Sequence, residues 1–160
     1  MSWGPGSERI QLLIDAGELA RVPSDDALAR RMLADAARHL ATASAAESTQ
    51  DLSGAYQLAY DALRKSAASL LEAQGLRPTS RGGHIALQDA AIAQFGSTVR
   101  ALRSFSRIRR ARNSFEYPSA ETPGPSADDV RDAIKIAGEV RDAAAKMLDS
   151  GVLPPWLAKP

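Results

Sequence analysis

The chain has no cysteine among its 160 residues. Disulfides, thiolate metal sites and a cysteine nucleophile are therefore excluded together. Histidine is scarce, with only His39 and His84, which leaves little basis for a histidine-rich metal site. Aromatics make up 5% of the residues, so a core has to be assembled from Ala, Leu, Ile and Val. No run approaches the ~18 consecutive apolar residues of a membrane span, and the opening MSWGPGSERI lacks the charged-then-apolar pattern of a signal peptide. No segment alternates apolar and polar residues for long enough to argue for a strand. These absences predict an all-α, soluble, cytoplasmic protein with no metal and no cofactor. The formal net charge is only +1, so any affinity for polyanions must come from local patterning.

The helical pattern is clear once the breakers are marked. Residues 1–23 read as a flexible lead and a short helix capped by Ser7, with Ile10, Leu12, Leu13 and Leu19 on its apolar side. Val22-Pro23 ends it. Residues 24–150 read as an antiparallel bundle of four to five main helices. Ser24-Asp25-Asp26 starts the first, with acids where the helix dipole favours them. Asp51 or Ser53 caps the next, whose stripe runs Leu52, Tyr56, Ala59, Leu63, Ala67 and Leu70. Gly75 is a left-handed stop, followed by Pro78. RPTSRGG, residues 77–83, is a basic loop, and a helix follows from His84 to Phe95. Ser97 or Thr98 restarts a helix carrying Val99, Leu102, Phe105 and Ile108, which ends near Phe115 because Pro118 disfavours a helical Tyr117. Ser126 and Asp129 form a capping-box pattern before the last helix. Residues 151–160 form a proline-rich tail.

The most informative segment is RALRSFSRIRRARNSFEY, Arg100 to Tyr117. Arg100, Arg103, Arg107, Arg109, Arg110 and Arg112 fall in thirteen positions without one acid among them. A merely solvated face usually mixes signs in i,i+4 pairs. Guanidinium groups clustered without acids suit phosphate, because each offers a planar fork of donors that stays charged. An acidic partner protein, or pairing within the fold to Asp25, Asp26, Glu72 or Asp89, would also account for the run.

The middle of the chain resembles the HEPN family, named for nucleotide binding in higher eukaryotes and prokaryotes. Three pieces carry the likeness: AYDALRKSAASLLEAQGLRPTS, GGHIALQDA and RRARNSFEYP. The last resembles the family's hallmark, an arginine and a polar residue followed after a spacer by histidine or tyrosine. The resemblance implies a helical bundle that dimerises and binds RNA or nucleotides, in many relatives as a metal-independent endoribonuclease of toxin–antitoxin, defence or stress systems. Carried over, Arg112 is the motif arginine, Asn113 the polar residue beside it, and Tyr117 stands where the histidine would be. Arg112, Asn113 and Tyr117 are thus the expected catalytic set. Arg103, Arg107, Arg109, Arg110, Tyr60, Arg64, Arg81 and His84 are the expected nucleic-acid contacts.

The tyrosine departs from the pattern in a way that matters chemically. Cleaving RNA without metal needs a base for the ribose 2′-OH and a cation for the developing phosphorane charge. Arg112 suits the second role. A phenol with pKa about 10 is poorly matched to the first at pH 7. Two functions therefore stand side by side: an arginine-lined RNA or nucleotide site, with or without cleavage, and a non-catalytic module whose basic face binds an acidic partner. By analogy with related systems that partner is a cognate nucleotidyltransferase or antitoxin, with Tyr117 as a modification acceptor. Tyr56 is expected in the core and Tyr60, with Arg64 one turn on, at the cleft. Arg77 and His84 repeat the hallmark spacing in a loop context. Trp3 and Trp156, in the two tails, are expected to dock on each other, on the bundle or on a partner.

Overall fold

The computed structural model describes residues 3–156, apart from the Glu47 side chain. The first two residues of the expected lead and the last four of the expected tail lie outside the described residues. The described chain is all-α apart from one small strand pair, and runs α1 (Ser7–Asp15), β1 (Leu19–Arg21), α2 (Asp26–Ala45), α3 (Leu52–Ala73), β2 (Leu76–Pro78), α4 (Gly83–Phe95), α5 (Phe105–Glu116) and α6 (Ala127–Ser150).

Helix α3 is the axis of the bundle. It packs most extensively on α2 and α6, and also on α4 and α5. Its sequence explains the position: alanines at 55, 59, 62 and 67 and leucines at 63, 70 and 71 are all fully buried. An apolar surface on nearly every side belongs to a helix surrounded by others. Its two buried serines are satisfied within the helix, Ser66 donating to the Ala62 carbonyl and Ser69 to the Ser66 carbonyl, each at 2.7 Å. The helix starts are chemically specified. Asp25 accepts from the Leu28 amide, Asp51 from the Gly54 amide, and Ser126 and Asp129 form a complete capping box. Each such cap stabilises by about 1 kcal/mol. For α1 the cap position is Gly6 rather than Ser7, and no side chain caps it.

The strand pair is a departure from the sequence expectation. β1 and β2 run antiparallel with Leu19 opposite Pro78 and Arg21 opposite Leu76, so Leu19 lies on a strand and not on the first helix. Three-residue strands are too short to show alternation. Gly75 makes the crossing possible: its φ is +72°, and its carbonyl accepts from the Val22 amide at 2.8 Å.

A second correction concerns the arginine run. The helix does not begin at Ser97 or Thr98. Val99 is extended (φ −108°, ψ 85°), a single 3₁₀ turn covers Arg100–Ser104, and α5 starts only at Phe105. Val99 and Leu102 are still buried, which is why the apolar spacing reads through the break. The run is thus divided, with Arg100 and Arg103 on the 3₁₀ turn and Arg107, Arg109, Arg110 and Arg112 on α5.

Both tryptophans dock on the bundle rather than on each other. The Trp3 indole N–H donates to the Gln94 carbonyl at 2.9 Å, and its ring lies 5.3 Å from that of Phe95. The Trp156 amide donates to the Gln74 carbonyl at 2.8 Å, with the Arg21 guanidinium 5.8 Å from its ring centroid. Gln74 and Gln94 are themselves buried and exchange two amide hydrogen bonds, of 2.8 and 3.0 Å. Two polar side chains that would be costly to bury alone satisfy each other. No helix among the described residues is long and apolar enough to cross a membrane.

Candidate functional site

Arg112 sits on the α5 face that meets α3, and its side chain is largely enclosed. Its Nε donates to Gln57 Oε1 at 2.5 Å. One Nη donates to Asn113 Oδ1 at 3.0 Å and pairs with Glu116 Oε2 at 2.6 Å. The guanidinium carbon lies 5.4 Å from the centroid of the Tyr60 ring, a cation–π arrangement. Gln57 in turn donates to Asp61 at 3.2 Å, and Asp61 lies 3.8 Å from an Nη of Arg64. The Arg64 Nε is buried and has no hydrogen-bond partner among the described residues.

Tyr60 links this group to α4. Its hydroxyl lies 2.9 Å from His84 Nδ1. The Tyr60 ring is buried, with 1% of its surface exposed, and packs edge-on against Phe105 at 6.2 Å. Expected as a cleft residue, it is instead a core side chain that presents only its hydroxyl and one face to charged neighbours. Burial raises its pKa, against the pull of Arg64, Arg112 and Arg109, so the phenol keeps its proton. His84 is exposed at the first turn of α4. Its Nδ1 edge is enclosed against Tyr60, and its pKa is lowered first by this partial desolvation and then by repulsion from Arg64 and Arg112, with Arg109 adding to this and Asp61 opposing it. The same three arginines therefore act on both the Tyr60 hydroxyl and the His84 imidazole. Leaving a buried hydroxyl without an acceptor costs about 1–3 kcal/mol, and His84 Nδ1 is the only acceptor that Tyr60 has among the described residues.

The remaining arginines of the run divide into those with a partner and those without one among the described residues. Arg109 donates to Gln88 of α4 at 3.0 Å, Arg107 pairs with Asp132 of α6 at 2.9 Å, and Arg103 donates to the Gly96 carbonyl at 3.0 Å. Arg100 and Arg110 are exposed. The acids named from sequence as partners for the run are used elsewhere: Asp89 by Arg9, Asp26 by Arg30 and Glu72 by Arg77, while Asp25 caps α2. Two members of the run are paired instead with other acids, Arg107 with Asp132 and Arg112 with Glu116, which periodicity could not select. Arg81 lies exposed on the loop before α4.

Tyr117 does not join Arg112. It follows the last residue of α5, its amide reaching the Asn113 carbonyl at 3.3 Å, and 77% of its surface is exposed. Five residues along a helix is a rotation of about 140°, so Arg112 and Tyr117 leave on different sides, whereas Glu116, at i+4, returns to Arg112. Asn113 is helical, and its side chain is occupied by Arg112.

Beside Arg112 opens a cleft of about 420 Å³ between the start of α3 and the end of α5, lined among others by Asp51, Ser53, Gln57, Phe115 and Glu116. Tyr56 and Phe115 form its apolar wall, their rings edge-to-face at 4.9 Å. No cluster of three or more His, Cys, Asp or Glu side chains suited to a metal ion occurs among the described residues. Sequence reasoning overlooked Gln57, the residue that holds the Arg112 Nε. The available signal was its position one turn before Asp61 and nearly one turn before Tyr60 on α3.

A family model for the HEPN domain matches residues 29–148. No curated protein and no solved structure matches the chain.

Proposed function

The chain belongs to the HEPN domain family, whose role is broadly nucleotide- and RNA-related, and from that premise we propose that it binds RNA or a nucleotide through phosphate at the Arg64–Arg109–Arg112 cluster. The observation that carries this reading is the convergence of three arginines on the hydrogen-bonded Tyr60–His84 pair, with the Arg64 Nε buried and unpartnered among the described residues. Guanidinium groups that are already positioned lose little freedom on meeting a phosphate, which makes them effective anion ligands. In this reading Arg112 and Arg109 hold the phosphate, Asn113 fixes the Arg112 fork, and exposed Arg107, Arg110 and Arg103 extend the contact along the backbone. Exposed Tyr117 stacks on a base. A homodimer that apposes two Arg112–Tyr117 segments would lengthen this surface, as the family likeness implies.

Endonucleolytic cleavage is the finer form of the proposal, in a toxin–antitoxin, defence or stress setting. Arg112 would stabilise the phosphorane charge. Glu116 is occupied by Arg112, 2.6 Å away. The test is to incubate the protein, with EDTA present, against single-stranded and structured RNA beside Arg112→Ala and Tyr117→Phe. Cleavage to 2′,3′-cyclic phosphate ends that is lost in Arg112→Ala supports the enzyme. Salt-sensitive retention without cleavage supports a binding protein. Loss of both in the wild type removes the reading.

One observation favours a second reading. Tyr117 is 77% exposed and takes no part in the Arg112 cluster. Such a tyrosine is accessible to a modifying enzyme, so the basic face would be a docking surface for an acidic protein such as a cognate nucleotidyltransferase. Mass spectrometry of the protein after incubation with that enzyme and a nucleoside triphosphate tests it, a nucleotidyl adduct on Tyr117 being the supporting result.

A further inference from the structure

We propose that Tyr60 is a positioning residue that fixes His84 as a neutral imidazole with its proton on Nε2, so that His84 donates a hydrogen bond to the same RNA phosphate that Arg112 binds. This rests on the RNA-binding reading and takes it further, by assigning His84 the role of a phosphate donor and not of a base.

The hydrogen-bond geometry leads there. Tyr60 is buried, and its hydroxyl has His84 Nδ1 as its only acceptor among the described residues. The hydroxyl therefore donates, and Nδ1 must carry a lone pair. A neutral imidazole that accepts at Nδ1 holds its hydrogen at Nε2. His84 is exposed and Nε2 has no protein partner among the described residues, so that N–H is available to a ligand. The surroundings disfavour the charged ring: partial desolvation first, then Arg64 from α3 and Arg112 and Arg109 from α5, with Asp61 of α3 acting the other way. Protonation at Nδ1 would also turn the Tyr60 hydroxyl away from its acceptor. A neutral N–H beside guanidinium groups is a donor that does not add to their mutual repulsion. It also lacks the lone pair needed to take a proton from a ribose 2′-OH. His84 is thus linked through Tyr60 to Arg112, and supplies a hydrogen bond beside it.

The second histidine is an internal control. His39 Nε2 lies 2.9 Å from the Lys65 ammonium, which only donates, so His39 accepts at Nε2 and carries its proton on Nδ1. Long-range proton–nitrogen NMR spectra of the full chain, assigned with His84→Gln, distinguish the two tautomers directly. At pH 7 we expect one Nε2–H pattern for His84 and one Nδ1–H pattern for His39. Tyr60→Phe keeps the ring and the Arg112 contact but removes the hydroxyl, and should turn the His84 pattern into a tautomer mixture while His39 is unchanged. Adding a single-stranded decamer of uridylate should shift the His84 Nε2–H signals, and His84→Gln should weaken retention of that RNA about threefold to tenfold. An Nδ1–H or protonated His84 in the free protein at pH 7 overturns the proposal. So do unmoved His84 signals while Arg112-dependent RNA retention persists, and that outcome leaves the RNA-binding reading standing. No retention of RNA by the wild type overturns the binding reading and this inference with it.

Discussion

Arg112 of α5 lies over the ring of Tyr60 of α3, with 5.4 Å between its guanidinium carbon and the ring centroid. The contact joins the arginine-rich segment to the central helix, and the Tyr60 hydroxyl carries the link on to His84. Much of the predicted behaviour of the protein follows from it.

Arg112→Lys and Arg112→Ala separate charge from geometry. Lysine keeps the charge but loses the planar fork that reaches Gln57, Asn113 and Glu116 together. Both variants should lose RNA retention by at least about tenfold, lysine less than alanine. Filter binding at two salt concentrations measures it, and the alanine variant should also show a salt slope shallower by about 1.

Tyr117→Phe should change little. The side chain is 77% exposed and has no hydrogen bond or ring contact to Arg112 among the described residues, so thermal stability should stay within about 0.5 kcal/mol of the wild type. RNA retention should fall less than twofold, since the ring that stacks is kept. Calorimetry and filter binding check both. A large loss would mean that the hydroxyl itself is used.

Stability should decline in mild acid. Both histidines have pKa values lowered in the folded chain, chiefly by burial. The unfolded chain takes up their protons near the ordinary value of about 6.5, while the folded chain does so only at lower pH. Between those values the unfolded state binds more protons, so stability falls as pH drops below about 6.5 and levels off once the folded histidines titrate. Above that range these two groups leave stability unchanged. Urea unfolding at pH 7.5 and 5.5 reads the difference, and replacing both histidines with glutamine should flatten it.

Gly75→Ala and Gly151→Ala form a controlled pair. Both positions have positive φ, +72° and +67°, where a Cβ costs about 1–2 kcal/mol. At Gly151 an added Cβ meets nothing within 4 Å, whereas at Gly75 it lies 2.4 Å from the Val22 carbonyl oxygen. Gly75→Ala should therefore be the more destabilising by at least about 1 kcal/mol, since the β1–β2 crossing must shift. Chemical denaturation of the two variants gives the difference directly.

The helices were legible because their signals are local. Asp25, Asp51 and Ser126 lie where their caps are formed, Gly75 and Gly151 adopt the left-handed stops that glycine permits, and the apolar stripes of α2, α3 and α6 face the core. The strand pair was not legible, because three residues carry no periodicity. The late start of α5 was hidden by the continued burial of Val99 and Leu102 on either side of an extended backbone.

The candidate site divides along the same line. Residue order alone determined that arginines without acids would crowd the segment ending at Tyr117, and that no cysteine chemistry is open to this chain. Which of those arginines are held, and by what, was decided by helix packing. Gln57 and Tyr60 stand 55 and 52 residues from Arg112 in the chain, and only the crossing of α3 and α5 brings them into contact. His84 enters because the strand pair and the short loop after it place the start of α4 beside the same turn of α3. Arg112 and Tyr117, which the motif spacing joins, are parted by the rotation of five helical residues. Local chemistry is written in neighbouring residues, whereas a hydrogen bond between distant ones exists only once burial of the alanine- and leucine-rich faces has set the helices against each other.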